Sequence, residues 1–225
     1  MRKSDIDTQR NFYGRVHGKT LRPQQKTDLA ELLPQYLLAG VSLDENPDRT
    51  PLSVQKPLWL EVGFGGGEHL MHVSGAHPDV HFIGCEPFVN GIAMLLGKLR
   101  AAPRANLQIY DADVRNLFDV LPDGSLGRCY LNYPDPWPKA RHNRRRFVTP
   151  DYLGPLRRCL EPGAELRIAT DIPDYVRQAH EVVPGQGFAL SYESGTPWEG
   201  WTRTRYEAKA VREGRVPHYM IWTAV

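Results

Sequence analysis

Cysteine is scarce: Cys85, Cys129 and Cys159 are the only three in 225 residues, and they lie far apart. That spacing excludes a C-x-x-C zinc or redox motif and a disulfide framework. Cys85 and Cys129 fall in apolar, strand-like runs, where packed thiols belong. Long hydrophobic runs are missing too. No stretch approaches the ~20 apolar residues that a membrane helix needs. Met1 is followed by a polar, basic stretch with no apolar core of a secretion signal. Net charge is only +2, so the chain as a whole is not a basic polyelectrolyte. There is no internal repeat and no low-complexity segment. The expectation from these absences is a soluble protein of a reducing compartment, the cytoplasm, with no membrane and no metal partner.

What positive charge there is lies in clusters. Residues 1–26 carry Arg2, Lys3, Arg10, Arg15, Lys19, Arg22 and Lys26 against Asp5 and Asp7. This stretch is polar and poor in aliphatic residues, which predicts a basic, flexible arm. Such an arm either tracks phosphates or keeps the protein soluble. The rest, 27–225, fits one large domain, and 41% hydrophobic residues suffice for a full core.

Apolar spacing predicts a helix over 25–38, with Pro34 as a kink, followed by a polar linker over 42–56. Strands and helices then alternate. Strands are expected at 58–62, 80–85, 107–110, 128–133 and 165–169, and helices at 68–75, 89–99, 150–160 and 173–183. The helix at 150–160 is expected to end on Pro162-Gly163. Two late strands, 188–193 and 218–223, have no long helix between them. Alternation of this kind predicts an α/β, Rossmann-like fold: a mostly parallel seven-stranded sheet, helices on both faces, and a late antiparallel edge strand.

The first strand runs into Glu61-Val62-Gly63-Phe64-Gly65-Gly66-Gly67. A dinucleotide fingerprint requires glycine three residues after Gly65, where Glu68 stands and would repel a pyrophosphate. The pattern present is acid-x-G-x-G-x-G, formed by Glu61, Gly63, Gly65 and Gly67. It resembles the first motif of class I S-adenosylmethionine-dependent methyltransferases. That cofactor carries an ammonium and a sulfonium and no phosphate, so an acid before the glycines is electrostatically sensible. Glu86 ends the second strand, where a carboxylate can accept both ribose hydroxyls. Asp111-Ala112-Asp113 follows the third. The resemblance implies that one of these acids binds the adenine amino group; Asp113 is preferred and Asp111 is the alternative. Acids at three successive strand ends point to one crevice at the carboxyl edge of the sheet.

The densest signal follows the fourth strand: Asn132-Tyr133-Pro134-Asp135-Pro136-Trp137-Pro138-Lys139-Ala140-Arg141-His142-Asn143-Arg144-Arg145-Arg146. Three prolines stiffen the turn that holds Asp135 and Trp137. From Lys139 to Arg146 there are five cations and no acid, an electrostatic footprint for phosphate. This stretch closely resembles the signature of tRNA (guanine-N7-)-methyltransferases. Thr170-Asp171 and the late Thr204-Arg205-Tyr206-Glu207 match further elements of that family. Asn132-Tyr133 stands where the family has a more apolar pair, and Arg144 where many members have lysine.

The resemblance implies methyl transfer from S-adenosyl-L-methionine to guanine N7 in the variable loop of tRNA. It implies that Asp135 is catalytic and also touches the cofactor with Glu61, Gly63, Gly65, Glu86 and Asp113. Lys139, Asp171, Thr204, Arg205, Tyr206 and Glu207 would bind the substrate. Arg141, Arg144, Arg145 and Arg146 are read as phosphate contacts. The partner expected is tRNA, with no obligatory protein partner.

The chemistry can be argued independently. Guanine N7 is a bare lone pair, so its methylation needs alignment and no strong base. Positive charge develops on the ring, and a nearby carboxylate stabilises it. His142 is therefore read as a phosphate or structural contact. Trp137 and Tyr133 are candidates for stacking on a splayed base, and Trp137 is equally a brace between prolines. An amino-methylating enzyme of the same fold would carry adjacent prolines after Asn132, and these are absent. A non-catalytic RNA-binding module would not need intact acids at Glu61, Glu86, Asp113 and Asp135.

Overall fold

The computed structural model describes residues 12–225. The fold has the expected class, a mixed, mostly parallel seven-stranded sheet with helices. The chain divides into two compact units, Met1–Pro122 and Asp123–Val225.

In the first unit, β1 (Leu58–Val62), β2 (His81–Cys85) and β3 (Leu107–Tyr110) are parallel in the order β3-β2-β1. Parallel neighbours need a crossover, which α3 (Glu68–Ala76) and α4 (Val89–Ala101) supply. Phe82, Ile109, Leu70, Val73, Leu95, Leu96 and Leu99 form the core between strands and helices. Lys98 and Arg100 in the last turn of α4 complement its dipole. The helix expected over 25–38 is two pieces, α1 (Pro23–Glu31) and α2 (Leu33–Tyr36). Pro34 lacks an N–H and crowds the preceding turn, so the chain breaks at Leu32. Leu37 then leaves the helix to bridge Ile109 of β3.

The expected arm, 1–26, lies outside the described residues over 1–11. The remainder is tied down in part. Val89 N–H donates to the Val16 carbonyl at 2.9 Å. The Asn90 amide accepts from Gly18 N–H at 2.8 Å and donates to the Lys19 carbonyl at 2.7 Å. Residues 23–26 open α1. Helix α5 (Val114–Val120) was not expected from apolar spacing; its start is signalled by Asp113 as its N-cap.

In the second unit the order is β4-β5-β7-β6, with β4 (Leu126–Asn132) parallel to β5 (Leu160–Thr170). The late antiparallel member is β7 (His218–Ala224), which pairs with both β5 and β6 (Phe188–Ser194). Between the strands lie α6 (Pro150–Cys159) and α7 (Pro173–Val182), whose buried Leu153, Leu156, Tyr175 and Ala179 carry them onto the sheet. Pro162-Gly163 does not terminate α6. Strand β5 starts directly at Leu160, and the pair lies in a bulge where Leu126 faces Leu160 and Arg128 faces Glu165. A short helix between the last two strands, α8 (Arg205–Arg212), was not expected from apolar spacing, because among its residues only Glu207 and Ala210 are buried.

Gly67 is the residue on which the entry to α3 depends. It takes φ 73° at the helix N-cap, and a Cβ there would stand 2.6 Å from Leu95 Cδ1. Gly67→Ala is expected to destabilise the protein by about 1–2 kcal/mol from the left-handed backbone alone. Chemical denaturation would check this, with Gly97→Ala, whose Cβ would meet nothing within 4 Å, as the control.

Candidate active site

The first unit brings three of its sequence-predicted acids to the carboxyl ends of its strands. Glu61 lies one residue before the end of β1 and is 2% exposed. His69, also buried, places Nδ1 2.8 Å from Glu61 Oε2, and the carboxylate accepts. Nothing in the sequence pattern singles out His69. Gly63 and Gly65 have φ of 70° and 55°, so the turn after β1 uses the freedom that glycine supplies. A Cβ at Gly63 would meet nothing within 4 Å, which leaves that side of the turn open to a ligand.

Glu86, just beyond β2, ties this turn to the next helix. Its Oε2 accepts from Gly65 N–H at 2.7 Å and its Oε1 from Phe88 N–H at 3.0 Å. The glycine turn and the approach to α4 are thus pinned by one carboxylate. Gly91 makes the closeness possible, since a Cβ there would lie 2.4 Å from the Gly65 carbonyl oxygen. Lys98 donates to the Gly66 carbonyl at 2.6 Å and pairs with Glu68 at 3.4 Å. Asp113 caps α5 by accepting from Arg115 N–H at 2.9 Å, and the Arg115 guanidinium grips both its oxygens. Its orientation is therefore fixed by its own helix.

These acids fit S-adenosylmethionine by donor and acceptor type. The amino acid ammonium, the ribose hydroxyls and the adenine amino group all donate, and carboxylates only accept.

In the second unit, β4 gives way to the turn that carries Asp135. Tyr133 N–H still donates to the Ala169 carbonyl at 2.7 Å. Tyr133 and Trp137 both have positive φ, 51° and 39°, and both precede proline. Side-chain residues in such conformations cost of order 1–3 kcal/mol each and persist where the surroundings hold them. Asp135 itself is exposed, as are Lys139, Arg141 and Arg144. Arg145 packs its guanidinium over the Trp137 ring at 5.0 Å, and His142 meets the same ring edge-on. Partial desolvation and the cations Arg145, Arg141, Lys139 and Arg144 push His142 below the ordinary histidine value. A neutral imidazole in that company reports a positive local field.

Arg146 departs from the expectation of a phosphate contact. Its side chain is shut off from solvent. Nε donates to the Pro136 carbonyl at 2.8 Å, Nη1 to Gln178 Oε1 at 2.8 Å, and Nη2 to Asp174 Oδ2 at 2.7 Å and the Trp137 carbonyl at 3.3 Å. Its plane lies 5.3 Å from the centre of the Tyr175 ring. A guanidinium committed in this way clamps the turn to α7 and has no donor directed at solvent. Sequence gave no sign of it, because Arg146 is one of three consecutive arginines.

Asp171, directly after β5, is held by Arg215, which also pairs with Glu213. Thr204 caps α8 by accepting from Glu207 N–H at 3.1 Å. Glu207 points inward, where Oε2 accepts from Trp201 Nε1 at 2.7 Å and Oε1 from the Tyr219 hydroxyl at 3.0 Å. Arg205 and Tyr206 face solvent. The Thr-x-x-Glu element therefore divides, with Thr204 and Glu207 inside and the two residues between them outside. Arg215, Trp201 and Tyr219 were not anticipated as site residues. Burial, with the neighbouring Tyr219, Glu207 and Asp171, drives the Tyr133 hydroxyl well above the ordinary tyrosine range, so it stays protonated.

Among the described residues no group of three or more His, Cys, Asp or Glu could hold a metal, and no helix is long and apolar enough to cross a membrane.

The family described as "Putative methyltransferase" matches residues 55–220. The chain is 61% identical over 216 residues to a tRNA (guanine-N(7)-)-methyltransferase of Cereibacter sphaeroides, covering 94% of this chain and 90% of that one. It is 58% identical to the protein of the same name from Paracoccus denitrificans, covering 94% and 93%. Among solved structures it resembles the 16S rRNA methyltransferase KamB, with TM-score 0.55 and 19% identity over 74% of this chain and 87% of that one. A 16S rRNA (adenine(1408)-N(1))-methyltransferase variant from Catenulisporales acidiphilia, solved with its cosubstrate, has TM-score 0.52 and 16% identity over 76% and 86%. These structural likenesses carry the fold.

Removing the Arg146 clamp leaves the buried Gln178 oxygen without its donor, while Asp174 stays in contact with solvent. Arg146→Ala is expected to cost about 1–3 kcal/mol in chemical unfolding. Arg144→Ala, at the exposed end of the same run, should stay within about 0.5 kcal/mol of the parent. The clamp also has a pH signature. Hydrogen bonds from Arg177 and Arg146 hold the Asp174 carboxyl below the ordinary 3.8. A depressed carboxyl stabilises the folded state above the unfolded value, and that contribution disappears as pH falls through the lowered one. Thermal unfolding between pH 5 and strong acid should show this loss, and Asp174→Asn should flatten it.

Proposed function

The chain belongs to the tRNA (guanine-N7-)-methyltransferase family, and from that premise we propose that it methylates N7 of a guanine in the variable loop of tRNA. The observation that carries the proposal is the joint presence of two things. One is a set of acids at three strand ends of the first unit. The other is a clamped acid-aromatic turn followed by exposed cations in the second. S-adenosyl-L-methionine supplies a methyl group activated on sulfonium and leaves as the thioether.

Glu61 and the glycine turn, open at Gly63, hold the amino acid end of the cofactor. Glu86 accepts from the ribose hydroxyls, and Asp113, with Asp111 as the alternative, accepts from the adenine amino group. Asp135 is the residue placed nearest the reaction in this reading, touching the cofactor and acting on the base. N7 offers its lone pair directly, so no residue removes a proton from it. As positive charge develops on the guanine ring, the Asp135 carboxylate stabilises it. Lys139, Asp171 and the Thr204–Glu207 element hold the nucleotide, with Arg205 and Tyr206 on the exposed side. Guanine presents N1–H and a 2-amino group, and carboxylates are suited to accept from both. Arg141, Arg144 and Arg145 contact phosphate; Arg146 works from inside, by holding the turn. A tRNA substrate places this work in the cytoplasm.

Two measurements test the reading. With labelled S-adenosylmethionine and tRNA, Asp135→Asn is expected to abolish turnover while calorimetric cofactor binding survives. A near-normal rate would remove Asp135 from its role. Replacing Arg141, Arg144 and Arg145 with Ala should weaken tRNA binding. It should also reduce the slope of log K against log salt by about two to three units. An unchanged slope would remove the phosphate-contact assignment.

A further inference from the structure

Tyr133 joins two parts of the second unit that the proposed function treats separately. Asp135 lies two residues beyond it, and Glu207 lies on α8. Its backbone is held left-handed, φ 51°, ahead of a proline, by the bond from its N–H to the Ala169 carbonyl at 2.7 Å. Ala169 is the register partner of Tyr219 on β7, so the sheet ladder delivers Tyr133 beside Tyr219. The Tyr133 hydroxyl is closed off from water, and Tyr219 is its hydrogen-bonding neighbour, with the charges of Glu207 and Asp171 around it. Tyr219 spends its own proton on Glu207 Oε1 at 3.0 Å, and Trp201 Nε1 occupies Oε2 at 2.7 Å.

We propose that Tyr133 is a positioning residue that couples the Asp135 turn to Glu207 through the Tyr219 hydroxyl. The inference rests on the roles proposed for Asp135 and Glu207. The Tyr219 oxygen accepts from the Tyr133 hydroxyl while its own proton goes to Glu207. That bond fixes the Tyr133 ring, and with it the strained turn two residues before Asp135. A donor group of the base arriving at Glu207 competes with Tyr219 for Oε1 and shifts the hydroxyl to which Tyr133 is bonded. Nucleotide capture on α8 is thereby reported to the carboxylate that stabilises the reacting base. No bond is made or broken in this relay beyond hydrogen bonds, and no proton leaves either tyrosine.

The test is a double-substitution cycle with Tyr133→Phe and Tyr219→Phe, which remove only oxygens. The expected result for Tyr133→Phe is a folded protein with an unchanged KM for S-adenosylmethionine and a kcat lowered about tenfold. The double variant should be no slower than the slower single one. Hydrogen exchange of the same proteins without substrate gives a readout independent of activity. Tyr133→Phe should speed exchange over 134–146 and also over 201–207. Multiplicative kinetic effects, or an exchange change confined to 134–146, would overturn the coupling. If the parent enzyme does not methylate tRNA, the proposed function falls, and the exchange pattern still decides whether the relay exists.

Discussion

One buried guanidinium organises the second unit. The turn after β4 contains two left-handed residues, Tyr133 and Trp137, each directly before a proline. Left alone, such a turn would relax. Arg146 prevents this by binding the Pro136 and Trp137 carbonyls and anchoring itself on Asp174 and Gln178 of α7. Burying a guanidinium costs several kcal/mol unless its donors are satisfied. Here every nitrogen finds an acceptor, and Tyr175 covers its face. The same short run of arginines therefore does two jobs. The side chain that points inward fixes the geometry around Asp135, and those that point outward set the field for phosphate.

The first unit uses a carboxylate in a corresponding way. Glu86 binds the N–H groups of Gly65 and Phe88 and so fixes the glycine turn against the start of α4. The close approach of Gly91 to the Gly65 carbonyl is what brings these segments within reach. Residues 16–19 are hydrogen-bonded onto the next two positions of α4, Val89 and Asn90. The chain just before α1 thus ends up next to the strand end that carries Glu86, which composition alone did not indicate.

Much of this was legible in the sequence where one physical pattern dominated. The short apolar runs of β1 and β3 were read to the residue, because buried parallel strands are apolar on both faces. The acids at the strand ends were legible because glycine, strand and carboxylate recur together. The helix over 25–38 was read as one piece with a kink, and Pro34 makes it two. Helix α8 escaped because its eight residues are mostly polar; the Thr204 cap was its only local sign. Arg146 was assigned a phosphate contact on the strength of its neighbours in the run, and Glu207 a substrate contact by resemblance to the family. Whether a side chain turns in or out is decided by distant partners, Asp174 and Gln178 for the first, Trp201 and Tyr219 for the second. No local pattern encodes those partners.

Everything proposed for the site turns on which atom receives the methyl group. Labelled S-adenosylmethionine, the purified protein and unmodified tRNA, followed by digestion and identification of the labelled nucleoside and its position, test it directly. The expected product is 7-methylguanosine confined to the variable loop. Label on any other atom, or 7-methylguanosine spread over other positions, would contradict it.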